Sequence, residues 1–204
     1  MRTLPLIFAI ACWSLPADLQ AASAAPNIVV IYADDLGYGD IQCYNPKRGK
    51  IPTPHVDNLA SQGMRFTDAH SSSGVCSPSR YTILTGRYHW RSRLQRGIVG
   101  LWGPPLITPD RLTIGGLAKK HGYHTACIGK WHLGWDWSIP AGKEKLFSIP
   151  GNFGQNQENL SATDEHRTAW RELFSKPIAG GPVTVGFDEY FGTDVPNWPP
   201  YCFI

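Results

Sequence analysis

The run from Asn27 to Ala33 (Asn-Ile-Val-Val-Ile-Tyr-Ala) narrows the possible folds more than any other stretch, because it is continuously apolar, rich in β-branched residues, and stops at Asp34-Asp35. Side chains alternate between the two faces of a strand, so a strand apolar at every position needs cover on both sides. That pattern predicts a buried strand of a parallel sheet. Leu36-Gly37-Tyr38-Gly39 then turns the chain, with Asp40 reading as a turn or cap residue.

The rest of the chain alternates in the same sense. Thr53-Pro54 reads as an N-cap and first helical residue, with Val56, Leu59 and Ala60 on one face and Gly63 closing the helix. Met64 to Ala69 is expected to be a strand. A serine-rich loop, Ser71 to Gly74, leads into a short helix from Cys76 to Thr85 that stops at Gly86. Ile114, Leu117 and Ala118 mark another helix ended by Gly122, followed by a strand from Tyr123 to Ile128. Residues 139–182 are a polar surface excursion, with a helix from Thr163 as N-cap to Phe174. Strands alternating with helices predict an α/β fold, a mixed but largely parallel sheet flanked by helices.

Residues 1–24 read as a signal peptide: Arg2, the apolar run Leu4 to Trp13, then Ala22-Ser23-Ala24. The apolar run is too short to span a bilayer. Export to the periplasm or the medium is expected, with no membrane attachment after cleavage. The remaining 25–204 reads as the amino-terminal portion of one domain whose ending resembles a cut. Formal charge is +3 with both signs scattered, which argues against nucleic acid as a partner. Cys43, Cys76, Cys127 and Cys202 remain after cleavage, and their spacing indicates no pairing.

Three chemically loaded segments sit at equivalent places. Asp34-Asp35 and Lys130-Trp131-His132 lie just past the ends of predicted strands, and Cys76 opens a helix. In open α/β sheets those are ligand-binding positions. Adjacent aspartates serve one site only where the strand ends, and their hard oxygens suit Ca²⁺, or Mg²⁺ as the lesser choice. Two carboxylates make an incomplete shell; a plain polar turn is the rival reading. Cys76 has the helix amino terminus beside it and Arg80 one turn on along the same face, both favouring negative charge. The plain alternatives are a reactive thiolate or a small buried hydrophobe. Lys130 and His132 have bland rivals as well, a solvated lysine and a packed histidine. Arg87 is read as a loop organiser, and His70 and His89 as structural. Trp131, Trp135 and Trp137 fit either a packed core, the reading favoured here, or a platform for sugar rings.

The string Cys76-Ser77-Pro78-Ser79-Arg80, with Thr85-Gly86-Arg87 after it, resembles the signature of the sulfatase family. Asp34 to Asp40, Gly129-Lys130-Trp131-His132-Leu133-Gly134 and Gly186-Phe187-Asp188 are similar to further blocks of that family and fall in its order. The resemblance implies an alkaline-phosphatase-like fold and hydrolysis of sulfate esters, on aryl sulfates or sulfated carbohydrates. It implies that Cys76 is oxidised to formylglycine by a maturation enzyme that reads Cys-x-Pro-x-Arg as a linear peptide. Asp34, Asp35 and the modified Cys76 would then bind one calcium ion. Arg80 would stabilise the aldehyde hydrate, Lys130 would bind the sulfate, and His132 would bond the hydrate and take its proton.

Chemistry agrees with that implication. A serine nucleophile would end as a stable sulfate ester, whereas an aldehyde hydrate attacks with one hydroxyl and releases sulfate with the other. The family takes its remaining metal ligands, further substrate-binding residues and a smaller carboxy-terminal domain from sequence beyond these positions. The 204 residues by themselves are therefore expected to be inactive. Two other readings keep the same residues: a phosphate or phosphonate ester hydrolase of the same superfamily, and a non-catalytic module that holds sulfated glycans.

Overall fold

A computed structural model describes residues 25–147 and 162–195 of the chain. Their contacts divide into two units, Met1–Thr53 and Pro54–Ile204, taken separately below. The expected signal peptide and Cys202 lie outside the described residues.

In the first unit the run from Asn27 to Ala33 is extended, but it forms no ladder and its side chains are exposed, Ile31 by 87%. The expected buried strand is not built. An apolar run encodes a demand for cover and leaves the neighbour unspecified; among the described residues no strand pairs with it. The turn after it forms as expected. Asp35 takes a left-handed φ of 59°, which aspartate tolerates better than most residues. Asp40 closes the short 3₁₀ turn Tyr38–Asp40, its Oδ2 accepting the Gly37 N–H at 2.8 Å. That is the cap role its position predicts.

The second unit begins with helix α1, Pro54–Gln62, none of whose residues is buried. Val56 and Leu59, read from the sequence as sharing one helix face, are exposed. Met64 to Ala69 also departs from expectation: it is irregular, with Met64 and Phe66 exposed, and among the described residues no strand pairs with it.

From there the chain follows its sequence closely. Helix α2 spans Cys76–Thr85 and buries Ser77, Pro78, Ser79 and Tyr81. It ends at Gly86, whose φ of 62° suits glycine, with the Gly86 N–H returning to the Thr82 carbonyl. Helix α3, Ile114–Lys120, starts on Thr113, whose Oγ1 accepts the Gly116 N–H and donates to the Val185 carbonyl. Strand β1, Ala126–Lys130, begins three residues later and ends two later than the alternation suggests. Helix α4, Asp164–Phe174, is capped by Thr163 as predicted.

Strand β2, Glu189–Thr193, pairs in parallel with β1 from Ala126↔Glu189 to Lys130↔Thr193. It was not foreseen, because Glu-Tyr-Phe-Gly-Thr mixes polar and apolar residues without a clean period. The two-stranded parallel sheet and its helices make the unit α/β. Beside the sheet lies an aromatic core. Trp102 meets the rings of Trp137 and Phe147 edge-on at 5.1 and 5.0 Å, and Trp131, Trp135 and Trp137 are all buried. The favoured core reading holds, and burial removes these indoles from sugar stacking.

Gly186-Phe187-Asp188 ties this unit together. The Asp188 carboxylate accepts the Thr125 N–H and hydroxyl, both at 2.9 Å, and pairs with Lys119 at 2.5 Å. It thereby joins α3 to the starts of β1 and β2, and these donors, Lys119 first, hold its pKa well below the ordinary carboxylate range. Gly186 has φ 108°, and a Cβ there would fall 2.3 Å from the Gly116 nitrogen. Only glycine fits that approach.

Candidate active site

The site forms where the first turn of α2 meets the end of β1. Val75, extended, precedes the helix, so the free N–H groups of the first turn open beside Cys76. Pro78 is at home there, since a first-turn residue has no intrahelical use for an N–H. The Lys130 ammonium donates to Cys76 Sγ at 3.2 Å across a sequence gap of 54. One turn along α2, Arg80 donates from Nη1 to the Lys130 carbonyl at 2.6 Å. Cys76 and Arg80, from one motif, and Lys130, from another, are brought together. Helix terminus, ammonium and guanidinium all favour an anion at this corner.

His132 is 2% exposed, and its backbone takes a left-handed φ of 54°. Such a conformation costs a non-glycine residue about 1–3 kcal/mol and persists only where neighbours impose it. Here the parallel pairing runs on past β1: Trp131 N–H reaches the Thr193 carbonyl at 2.9 Å, and His132 N–H the Asp194 carbonyl at 3.0 Å. The ring is tied as well, Nε2 lying 3.0 Å from the Val99 carbonyl. Val99 N–H in turn donates to Ser77 Oγ at 3.1 Å. His132 is thus coupled to the residue that follows Cys76.

Asp34 and Asp35 belong to the first unit and are exposed there. Their donor chemistry, two adjacent hard carboxylates at a turn enforced by the left-handed Asp35, fits a calcium ion. Two such residues supply part of a shell, and among the described residues no three histidines, cysteines or acids gather as a metal site.

Behind the corner, several residues that sequence reasoning did not single out complete the support. Tyr190 donates its hydroxyl to the Gly129 and Thr193 carbonyls at 2.9 and 3.0 Å, clasping the ends of both strands; burial raises its pKa. Burial also pushes the Cys127 thiol up to about 11, against the nearby Arg80 charge, so it stays an inert thiol at neutral pH. Asp194 is 1% exposed, and burial raises its carboxyl to about 7, with the Trp135 indole working the other way. No periodicity marks Tyr190 or Asp194, and the sequence marks Cys127 only as one of the cysteines whose spacing indicates no pairing. Arg87 N–H donates to Thr85 Oγ1, consistent with a loop organiser, and His70 pairs with Asp68 on the surface. Among the described residues Cys43, Cys76 and Cys127 form no disulfide.

The family profile described as Sulfatase matches residues 26–190, most of the chain. The chain belongs to the sulfatase family. Within this sulfatase, 138 residues are 41% identical to an N-acetylgalactosamine-6-O-sulfatase of Bacteroides thetaiotaomicron, covering 65% of this chain and 26% of that protein. Arylsulfatase A of Bos taurus is 42% identical over 127 residues, covering 61% and 25% respectively. The sulfatase chain thus spans about a quarter of the length of the curated relatives it matches. A solved structure from a study of the metabolism of multiple glycosaminoglycans by Bacteroides thetaiotaomicron superposes with TM-score 0.65 at 34% identity, over 88% of this chain and 30% of that one. The structure of Ps i-CgsB matches with TM-score 0.54 at 30% identity, over 83% and 28%. The fold is the α/β, alkaline-phosphatase-like fold of these neighbours.

Proposed function

We propose that this chain carries the nucleophile of a sulfate-ester hydrolase, in which Cys76 is matured to formylglycine. The observation that carries the reading is the meeting of Lys130 with Cys76 Sγ at 3.2 Å, at a helix amino terminus steadied by Arg80. Sγ stands in for the oxygen that maturation would leave at this position.

The net reaction takes R–O–SO₃⁻ and water to the alcohol and hydrogen sulfate. A sulfuryl group is an anion with three non-bridging oxygens, and the corner supplies fixed positive potential before it arrives. Lys130 would neutralise those oxygens and set the sulfur within reach of position 76. Arg80 holds the Lys130 backbone and adds its own charge. His132 would receive the proton that the nucleophilic hydroxyl gives up. The aldehyde hydrate, when present, supplies one hydroxyl to bond sulfur and a second to release it. Calcium, held by Asp34, Asp35 and the modified Cys76, would supply Lewis-acid charge.

The relatives' names support sulfated substrates, and that of the Bacteroides relative supports a sulfated sugar. The amino-terminal leader supports export to the periplasm or the medium, with a formylglycine-generating enzyme as the partner during synthesis. The test is mass spectrometry of the tryptic peptide from Phe66 to Arg80, in full-length protein made with a competent maturation system. The peptide should carry an aldehyde in place of the thiol and be trapped by a hydrazide probe. An intact thiol there sinks the mechanism. Turnover of aryl sulfate in preference to aryl phosphate separates the sulfatase from a phosphoester hydrolase.

A further inference from the structure

Ser77, next to Cys76, is linked to His132 by buried bonds through Val99 to which no motif assigns a role. Ser77 is 0% exposed, Val99 4% and His132 2%, so water cannot readily replace any bond among them. Ser77 Oγ accepts the Val99 N–H at 3.1 Å, and the Val99 carbonyl faces His132 Nε2 at 3.0 Å. A carbonyl oxygen only accepts, so Nε2 must hold a hydrogen. In a neutral imidazole the other nitrogen, Nδ1, then carries the lone pair. The backbone of His132 is fixed independently, by its N–H on the Asp194 carbonyl and by the forced φ of 54°. Ring rotation is therefore governed by the Val99 peptide, and the tilt of that peptide by Ser77.

We infer that Ser77 is a positioning residue: through the Val99 peptide it holds the ring of His132 in place with its hydrogen on Nε2, and so orients the group that the proposed reaction uses as proton acceptor. The inference rests on the hydrolase reading above for the use of that acceptor. Ser77 touches no reacting atom in this scheme. It follows Cys76 directly in the chain, so the helix that presents the nucleophile also sets the proton acceptor. A register error in one would misplace both.

Two measurements test this in the full-length protein. Nitrogen NMR of His132, assigned by its loss in His132→Ala and recorded at mildly alkaline pH, should show the Nε2–H tautomer, and Ser77→Ala should mix the tautomers. This readout needs no aldehyde and no turnover, so it stands even if Cys76 proves to be a thiol and the hydrolase reading falls. A dominant Nδ1–H form in the unaltered protein overturns the inference whatever the variant does. In kinetics, with the aldehyde confirmed by mass in each variant, Ser77→Ala should lower kcat about 10–100-fold and leave KM unchanged. In a His132→Ala background the same change should cost nothing more. Losses that multiply, or a KM effect alone, would show that Ser77 does not act through His132. Should Ser77→Ala fail to fold, Ser77→Thr retains the acceptor oxygen and must retain both the tautomer and kcat; loss of either overturns the inference.

Discussion

Two corners of this chain carry charged residues at the end of a run that its sequence marks as a strand, and they end in different physical states. At the second, Ala126–Lys130 is paired along its length with Glu189–Thr193, and the pairing continues under Trp131 and His132. Lys130 and His132 are held there by bonds to two further parts of the chain, helix α2 and Val99. At the first, Asn27 to Ala33 is more apolar and more β-branched, yet it is exposed and unladdered, and Asp34-Asp35 follow it on an open turn. Hydrophobicity alone does not make a strand. A neighbour with free backbone groups does, and once it is present even a glycine-containing run such as Ala-Cys-Ile-Gly-Lys forms one.

The contrast can be tested at several strengths. Cys76→Ala should abolish sulfate release, on the order of 10⁵-fold, with the fold unchanged by circular dichroism; appreciable residual turnover would remove the built corner from the chemistry. Asp35→Ala asks whether the open corner serves the same reaction. It should lower activity about 10³-fold in the full-length protein and lower bound calcium by metal analysis, and an unchanged calcium content would leave the open corner a plain turn. Lys130→Met keeps the side-chain length without the charge and should cost about 10²-fold, mostly in kcat. An effect confined to KM would make Lys130 a binding residue only.

Stability probes come next. The Asp194 carboxyl is raised to about 7 by burial, so between an unfolded value of about 4 and pH 7 the folded chain holds a proton that the unfolded chain has lost. Stability should therefore fall as pH rises through that window and level off above it. Asp194→Asn should remove the slope and stabilise the full-length protein by up to about 4 kcal/mol at pH 8, with little change at pH 4, read from thermal melts. A variant less stable at pH 8 would mean that the carboxylate has a partner. The smallest effect is expected at the open corner: Val30→Thr, on an exposed side chain, should change this chain's stability by less than about 0.5 kcal/mol. A loss several times larger would show the run buried and erase the contrast.

Much of the local structure was legible beforehand because its signals are short-range. Thr163 caps its helix with its hydroxyl, Gly86 stops α2 with a left-handed φ, and Asp40 closes its turn on Gly37; each is decided within a few residues. Cys76, Arg80 and Lys130 were legible as chemistry, and the structure brings them within bonding distance. Strand assignments fared worse. Asn27 to Ala33 and Met64 to Ala69 failed, and Glu189–Thr193 went unseen, because a strand is stabilised by a partner distant in sequence and its own residues do not encode which one.

By itself, then, the sequence determined where helices begin and end, which residues are chemically loaded and in what order, and that the folded part is α/β. Capping, turn chemistry and charge act over a few residues, and a linear chain records them directly. Only the tertiary structure decided that β1 runs parallel to β2, that Trp131, Trp135 and Trp137 form core, that Asp188 is a tie between elements, and that Ser77, Val99 and His132 form one buried chain of bonds. Those outcomes depend on which distant groups share the space left when water is excluded, and no single stretch of residues specifies that.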